Sequence, residues 1–145
     1  MYSEKVMEHF RSPQNIGSMQ DADGEGTVGE PNCGDYLTIY VKVQDGKIKD
    51  ISFLVFGCTA SIATSSMITV LAKGKSLDEA IKITEQDVIA CLDGLPEQKQ
   101  HCSNLGVSAL RKAINNYFEK RGICNPQTGN EFSSKSYFTV KTTRV

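Results

Sequence analysis

Apolar and polar residues alternate without a break from Tyr36 to Gln44. Leu37, Ile39, Val41 and Val43 fall on one face, and Tyr36, Thr38, Tyr40 and Lys42 on the other. That period of two predicts a half-buried strand. Asp45-Gly46 is a hairpin signal, and a return strand from about Lys47 to Phe56 carries Ile51, Phe53 and Val55 in phase. Ile48 is out of phase with that set, which predicts a bulge or an early turn residue there. Past Gly57 the period becomes helical. A helix is expected directly after Cys58, with Ala63, Met67, Val70 and Leu71 on one face and Gly74 at its end. Ser76-Leu77-Asp78-Glu79 is a capping box that opens a short helix to about Ile83. Thr84 caps another from Glu85 to Leu92, with Gly94 as its stop. A longer amphipathic helix starts near Cys102, with Ser103 as candidate N-cap, Val107, Leu110, Ile114, Tyr117 and Phe118 on its apolar face, and its end near Gly122. At the other end of the chain, Ser3 caps a helix from about Glu4 to Arg11 and Pro13 stops it.

Between these elements the patterning fades. Asn15 to Gly34 is rich in glycine and acidic residues and reads as mobile loop, with a candidate short edge strand near Thr27-Val28. The segment from Ile123 to Val145 is polar and reads as a tail, in which Tyr137-Phe138-Thr139-Val140 is a weak strand candidate. A small antiparallel sheet followed by a run of helices must cover its apolar face with those helices. The expected fold is therefore a two-layer α+β domain of about three strands, helices on one face. Its expected bounds are residues 1–122, with 123–145 as tail.

Composition narrows the function classes. A chain of 145 residues suits one core. Sixteen basic against 17 acidic residues give a net charge of -1, which leaves no basic field and makes nucleic acid an unexpected partner. Apolar runs are too short to span a bilayer. Met1-Tyr2-Ser3-Glu4-Lys5 has no apolar signal region, so a cytosolic location is expected.

The candidate chemistry lies in the cysteines: Cys33, Cys58, Cys91, Cys102 and Cys124. Their number is odd and no CxxC pair occurs, so any metal site must be assembled from distant residues. Cys33 and Asp35 flank Gly34 just before the first strand, an arrangement that suits a metal ion or a plain turn. Cys58 and Cys102 both stand at expected helix N-termini, where unpaired N–H groups and the helix dipole favour a thiolate. Lys99 and His101 push Cys102 the same way. Each alone reads equally as a buried structural thiol; two such cysteines in one small domain favour a metal-binding or catalytic role. Cys91 reads as a core thiol and Cys124 as a tail thiol. His9 reads as a surface or partly packed histidine. The hydroxyl cluster Thr59, Ser61, Thr64, Ser65 and Ser66 reads as small residues that allow close packing. Antiparallel pairing brings the positions before one strand and after the next, Cys33 and Cys58, to one end of the sheet.

Cys33-Gly34-Asp35, Phe56-Gly57-Cys58, Lys73-Gly74-Lys75-Ser76-Leu77-Asp78-Glu79-Ala80, and Leu95-Pro96 through Lys99-Gln100-His101-Cys102-Ser103 occur in one order and spacing. Together with Tyr2-Ser3-Glu4-Lys5-Val6 they make the chain resemble the IscU/NifU family of iron–sulfur cluster scaffolds, most of all the NifU amino-terminal domain. The resemblance covers about residues 1–122. It implies a scaffold or carrier, not an enzyme, which builds a [2Fe–2S] cluster from Fe2+ and sulfur delivered by a cysteine desulfurase of the IscS/NifS type, then passes it to apo-acceptor proteins. It implies Cys33, Cys58 and Cys102 as ligands, Asp35 as the residue that keeps the cluster labile, and His101 as the competing fourth ligand. It also implies Cys102 as sulfur acceptor and Lys99 as a partner of that thiolate or of Asp35. A frataxin-like or Hsp70-type partner is implied too, although Glu97 and Gln98 replace the usual proline and valine of the chaperone-docking segment. Thr59 replaces the usual glycine after the middle cysteine. Family members also hold Zn2+ at the same residues, so a zinc-binding structural or interaction domain is the alternative reading. A thiol enzyme with Cys102 as nucleophile is a third, weakened by the presence of only two histidines, His9 and His101.

Overall fold

A computed structural model describes residues 2–30 and 35–122. In chain order the elements are α1 (Glu4–Arg11), β1 (Gly24–Glu30), β2 (Asp35–Gln44), β3 (Lys47–Phe56), α2 (Thr59–Ala72), α3 (Leu77–Ala80), α4 (Glu85–Cys91), a 3-10 turn (Glu97–Lys99) and α5 (His101–Lys120). The strands form one antiparallel sheet in the order β1-β2-β3. The helices pack on one face of it, as the alternating pattern requires. Leu37, Ile39 and Val41 of β2 and Ile48, Ile51 and Phe53 of β3 are buried under them. Each such side chain contributes on the order of 1.5–3 kcal/mol by leaving water. On the other face Tyr36, Leu54 and Phe56 are exposed.

The β2–β3 hairpin turns on Asp45 and Gly46, both left-handed at φ 56° and 74°, as a two-residue primed turn requires. The expected irregularity at Ile48 is a bulge. Pairing steps from Lys42↔Asp50 to Val43↔Ile48, which leaves Lys49 as the extra residue and turns Ile48 into the core. The predicted capping box of Ser76 with Glu79 is present, and the predicted Thr84 cap is itself a capping box, closed by Asp87. The helix after Ser76 is shorter than expected and ends at Ala80.

Three expectations are corrected. The glycine-rich stretch is not all loop. Gly24–Glu30 is a seven-residue edge strand paired along its length with β2. Its glycines are there for space. A Cβ on Gly26 would lie 2.5 Å from the Ala109 carbonyl oxygen and 2.5 Å from the Ala113 nitrogen, and one on Gly24 would collide with the Ala113 carbonyl. The backbone of α5 thus runs against the backbone of β1, an approach only glycine allows. Second, α2 has no single apolar face. It contacts α1, α4, α5 and β3, and Thr64, Ser66 and Thr69 are as buried as Ile68, while Val70 is exposed. A helix enclosed on most sides loses its periodicity. Third, Ser103 does not cap α5. The 3-10 turn runs straight into the helix, Gln100 is the N-cap in αR geometry, and the Ser103 hydroxyl donates back to the Gln100 carbonyl at 2.7 Å.

His9 is partly packed, as expected. Its Nδ1 is 2.7 Å from the Ser66 hydroxyl, which also accepts the Gln14 N–H. Burial holds its imidazole below the ordinary histidine range. Cys91 is half-buried at the end of α4, less enclosed than a core thiol. Cys124 and the strand candidate at residues 137–140 lie outside the described residues. Among the described residues, no helix is long and apolar enough to cross a membrane.

Candidate metal centre

The centre is built where two helix N-termini meet one end of the sheet. Strand β3 ends at Phe56 because Gly57 breaks the alternation, and Cys58 follows as the N-cap of α2 with extended backbone, φ -88° and ψ 179°. Cys102 is the second residue of α5 and is only 2% exposed, whereas Cys58 is half-buried. Their sulfurs are 3.9 Å apart and neither is in a disulfide. Two sulfurs bound to one tetrahedral metal at about 2.3 Å stand about 3.8 Å apart, so the pair fits one edge of such a site. The Nε2 of His101 is 3.7 Å from the Cys102 sulfur. That is close to the sulfur–nitrogen edge of about 3.6 Å for the same geometry.

Burial pushes the Cys58 thiol up, but opposing contacts outweigh it and hold the group below the ordinary thiol range. Those contacts are the Ser61 hydroxyl, the N–H groups of Ser61 and Ala60 at the start of α2, and Cys102. The amides lie toward the sulfur without closing an ordinary capping hydrogen bond. The effect is that of a helix N-terminus on a thiolate.

The structure thus brings together three of the sequence candidates: Cys58, Cys102 and His101. Asp35 opens β2, with its backbone opposite Glu30 and next to the Tyr36↔Phe56 pair. The register therefore puts it at the same end of the sheet as Cys58. Cys33 lies outside the described residues. Lys99 closes the 3-10 turn before α5, and among the described residues its ammonium makes no ion pair or hydrogen bond with either thiol. Among the described residues no three of His, Cys, Asp and Glu form a complete metal-binding set.

The sequence reading did not place Ser61 at the thiols. Its hydroxyl is 3.6 Å from the Cys58 sulfur and donates to the Cys102 sulfur at 3.6 Å. The available signal was its position three residues after Cys58, one helical turn on.

Residues 1–124 match the family described as NifU-like N terminal domain. The chain is 60% identical over 122 residues to an iron–sulfur cluster assembly scaffold protein, IscU 1, of Archaeoglobus fulgidus, covering 84% of this chain and 80% of that one. It is 46% identical over 124 residues to the scaffold protein IscU of Escherichia coli strain K12, covering 83% and 96%. In three dimensions it is similar to the amino-terminal part of a nitrogen-fixing NifU-like protein from Brucella abortus. That match has a TM-score of 0.64 at 22% identity over 81% of this chain and 94% of the other, and it shows a shared fold. A match along nearly the whole of the described chain, with 60% identity to one relative, places this chain in the NifU-like N-terminal domain family.

Proposed function

We propose that this chain is a scaffold on which a [2Fe–2S] cluster is assembled and from which it passes to acceptor proteins. The observation that carries the reading is the Cys58–Cys102 pair, two thiols 3.9 Å apart at two helix N-termini, in a chain 60% identical to an IscU scaffold. Thiolates are the soft ligands an iron–sulfur cluster needs. In this reading Cys33, Cys58 and Cys102 supply three of the four protein ligands, and either Asp35 or His101 the fourth. Three thiolates and one harder ligand make a weaker site than four thiolates, which suits a protein that must release what it builds. Residues 1–122 form the scaffold domain and 123–145 a tail outside it.

The chemistry follows from the thiolates. A desulfurase presents sulfur as a persulfide on its own cysteine. The Cys102 thiolate attacks the outer sulfur and the desulfurase cysteine leaves as thiolate, so the sulfur is handed over without net oxidation. Turning it into sulfide takes two electrons from an external reductant, and Fe2+ is the second substrate. Cys102 is 2% exposed, so the start of α5 has to move for the desulfurase to reach it. In this reading Lys99, in the turn just before, is the cation that accompanies that thiolate.

The test is anaerobic incubation with ferrous iron, cysteine and a cysteine desulfurase. A visible chromophore with about two irons and two sulfides per chain, passed on to an apo-ferredoxin, is expected. A protein that stays colourless while holding one zinc tightly would overturn the reading.

A further inference from the structure

We propose that the Ser61 hydroxyl is a hydrogen-bond donor shared by the Cys58 and Cys102 thiolates, holding their spacing and withdrawing charge from both when they carry metal. The inference deepens the scaffold reading and rests on these two cysteines as ligands.

Three observations carry it. Ser61 Oγ is 3.6 Å from each sulfur, on the bisecting side of a pair 3.9 Å apart. Ser61 is 5% exposed, so little water competes for its proton. The neighbouring hydroxyls are directed elsewhere: Thr64 and Ser65 donate to the Ser61 carbonyl at 3.2 and 2.7 Å, and Thr69 to that of Ser66. Ser61 thus brings one α2 hydroxyl to both sulfurs.

One hydroxyl has one proton, so the two sulfurs share it or take it in turn. A hydrogen bond to a ligand sulfur lowers the electron density that sulfur gives the metal. It stabilises a reduced cluster and weakens the metal–sulfur bond. Ser61 is thus a positioning and tuning residue; it binds no iron itself.

Wild type, Ser61→Ala and Ser61→Thr are loaded anaerobically with cobalt(II) alone and, separately, with iron, cysteine and a desulfurase. Alanine is the better helix former, so the α2 turn persists, which far-UV circular dichroism checks. Removing a donor raises the energy of the sulfur lone pairs. The thiolate-to-cobalt charge-transfer band of Ser61→Ala should therefore move to lower energy, and Ser61→Thr should keep the wild-type position. In the cluster form, the reduced-to-oxidised ratio at a fixed potential should fall about fivefold in Ser61→Ala, the worth of one hydrogen bond, and recover in Ser61→Thr. A Ser61→Ala protein whose band and reduction midpoint coincide with wild type overturns the inference. A cobalt band that moves as expected, in a protein that builds no cluster, supports the role of Ser61 and sinks the scaffold reading instead. Should Ser61→Ala not fold, resonance Raman of the wild-type cobalt form decides. A metal–sulfur stretch that moves on transfer to D2O, and equally in Ser61→Thr, supports the shared donor; an unmoved stretch overturns it.

Discussion

The sulfur of Cys58 stands 3.9 Å from that of Cys102, although 44 residues separate them in the chain. The pair exists because β3 runs into α2 at one corner of the sheet and α5 begins at the same corner. Neither element supplies two thiols, so the site tests the fold as well as the chemistry.

Replacing Cys58 or Cys102 singly by serine should abolish a stable cluster, because a hard hydroxyl is a poor substitute for a soft thiolate. The same is expected at Cys33. Cys91→Ser should assemble normally, since Cys91 is the last residue of α4 and belongs to neither helix start that holds the thiol pair. Iron per chain and visible absorbance after reconstitution measure all four. Full retention of the cluster in Cys33→Ser, Cys58→Ser or Cys102→Ser removes that residue from the ligand set.

Cys58 should alkylate as a thiolate at lower pH than an ordinary cysteine. Its folded pKa is depressed, despite the upward push of burial, by the Ser61 hydroxyl, the α2 amides and Cys102. The contribution of this group to stability is complete above the ordinary thiol range and is lost as pH falls through the depressed folded value. Iodoacetamide rates against pH, with the modified residue located by mass spectrometry, give the midpoint. A midpoint at or above that of a free cysteine would contradict the arrangement at the start of α2.

Gly26→Ala should destabilise the fold by about 1–3 kcal/mol, the usual cost of overpacking. The new methyl meets the Ala109 carbonyl and the Ala113 nitrogen, which are backbone atoms that cannot rotate away. Urea melts of the apoprotein measure it, with Thr84→Ala as a yardstick that loses a capping box for about 1 kcal/mol. A Gly26→Ala protein as stable as wild type would mean that α5 does not rest on β1 as described.

Asp35→Ala should hold its cluster longer and transfer it more slowly. A carboxylate at that position is hard, protonatable and exchangeable with water, so it gives acceptor thiols an entry. With it gone, His101, already 3.7 Å from the Cys102 sulfur, is the nitrogen nearest to completing the set. Decay of visible absorbance with and without an apo-acceptor compares the two proteins. Equal or faster loss from the variant removes Asp35 from this role.

Much of this was legible in the sequence where one residue type has one physical use. Alternation from Tyr36 to Gln44, Asp45-Gly46, the Ser76 capping box and the Thr84 cap each fix a local geometry, and each is present. The phase error at Ile48 marked the bulge. Glycine misled, because the same residue signals loop flexibility and close backbone contact, and at Gly24 and Gly26 the second use holds. The helical period misled at α2, since a helix covered by α1, α4, α5 and β3 needs no polar face. At the centre, both helix N-termini could be placed from sequence, and so Cys58 and Cys102 were visible. Ser61 was not, because a serine in a run of small hydroxyl residues looks like packing until the sulfurs are seen beside it.

The glycine track between β1 and α5 also decides which parts of the corner have play. Where side chains separate two elements, rotamers absorb a displacement; where backbone lies on backbone, nothing does. β1 and α5 are therefore harnessed together, and the strand leading toward residue 33 shifts with the helix that carries Cys102. On its other side α5 meets α2 through a side chain on backbone, Ile68 against Gly106, and a side chain can rotate where backbone cannot. Displacing this corner should therefore act first between α2 and α5, whose starts hold Cys58 and Cys102.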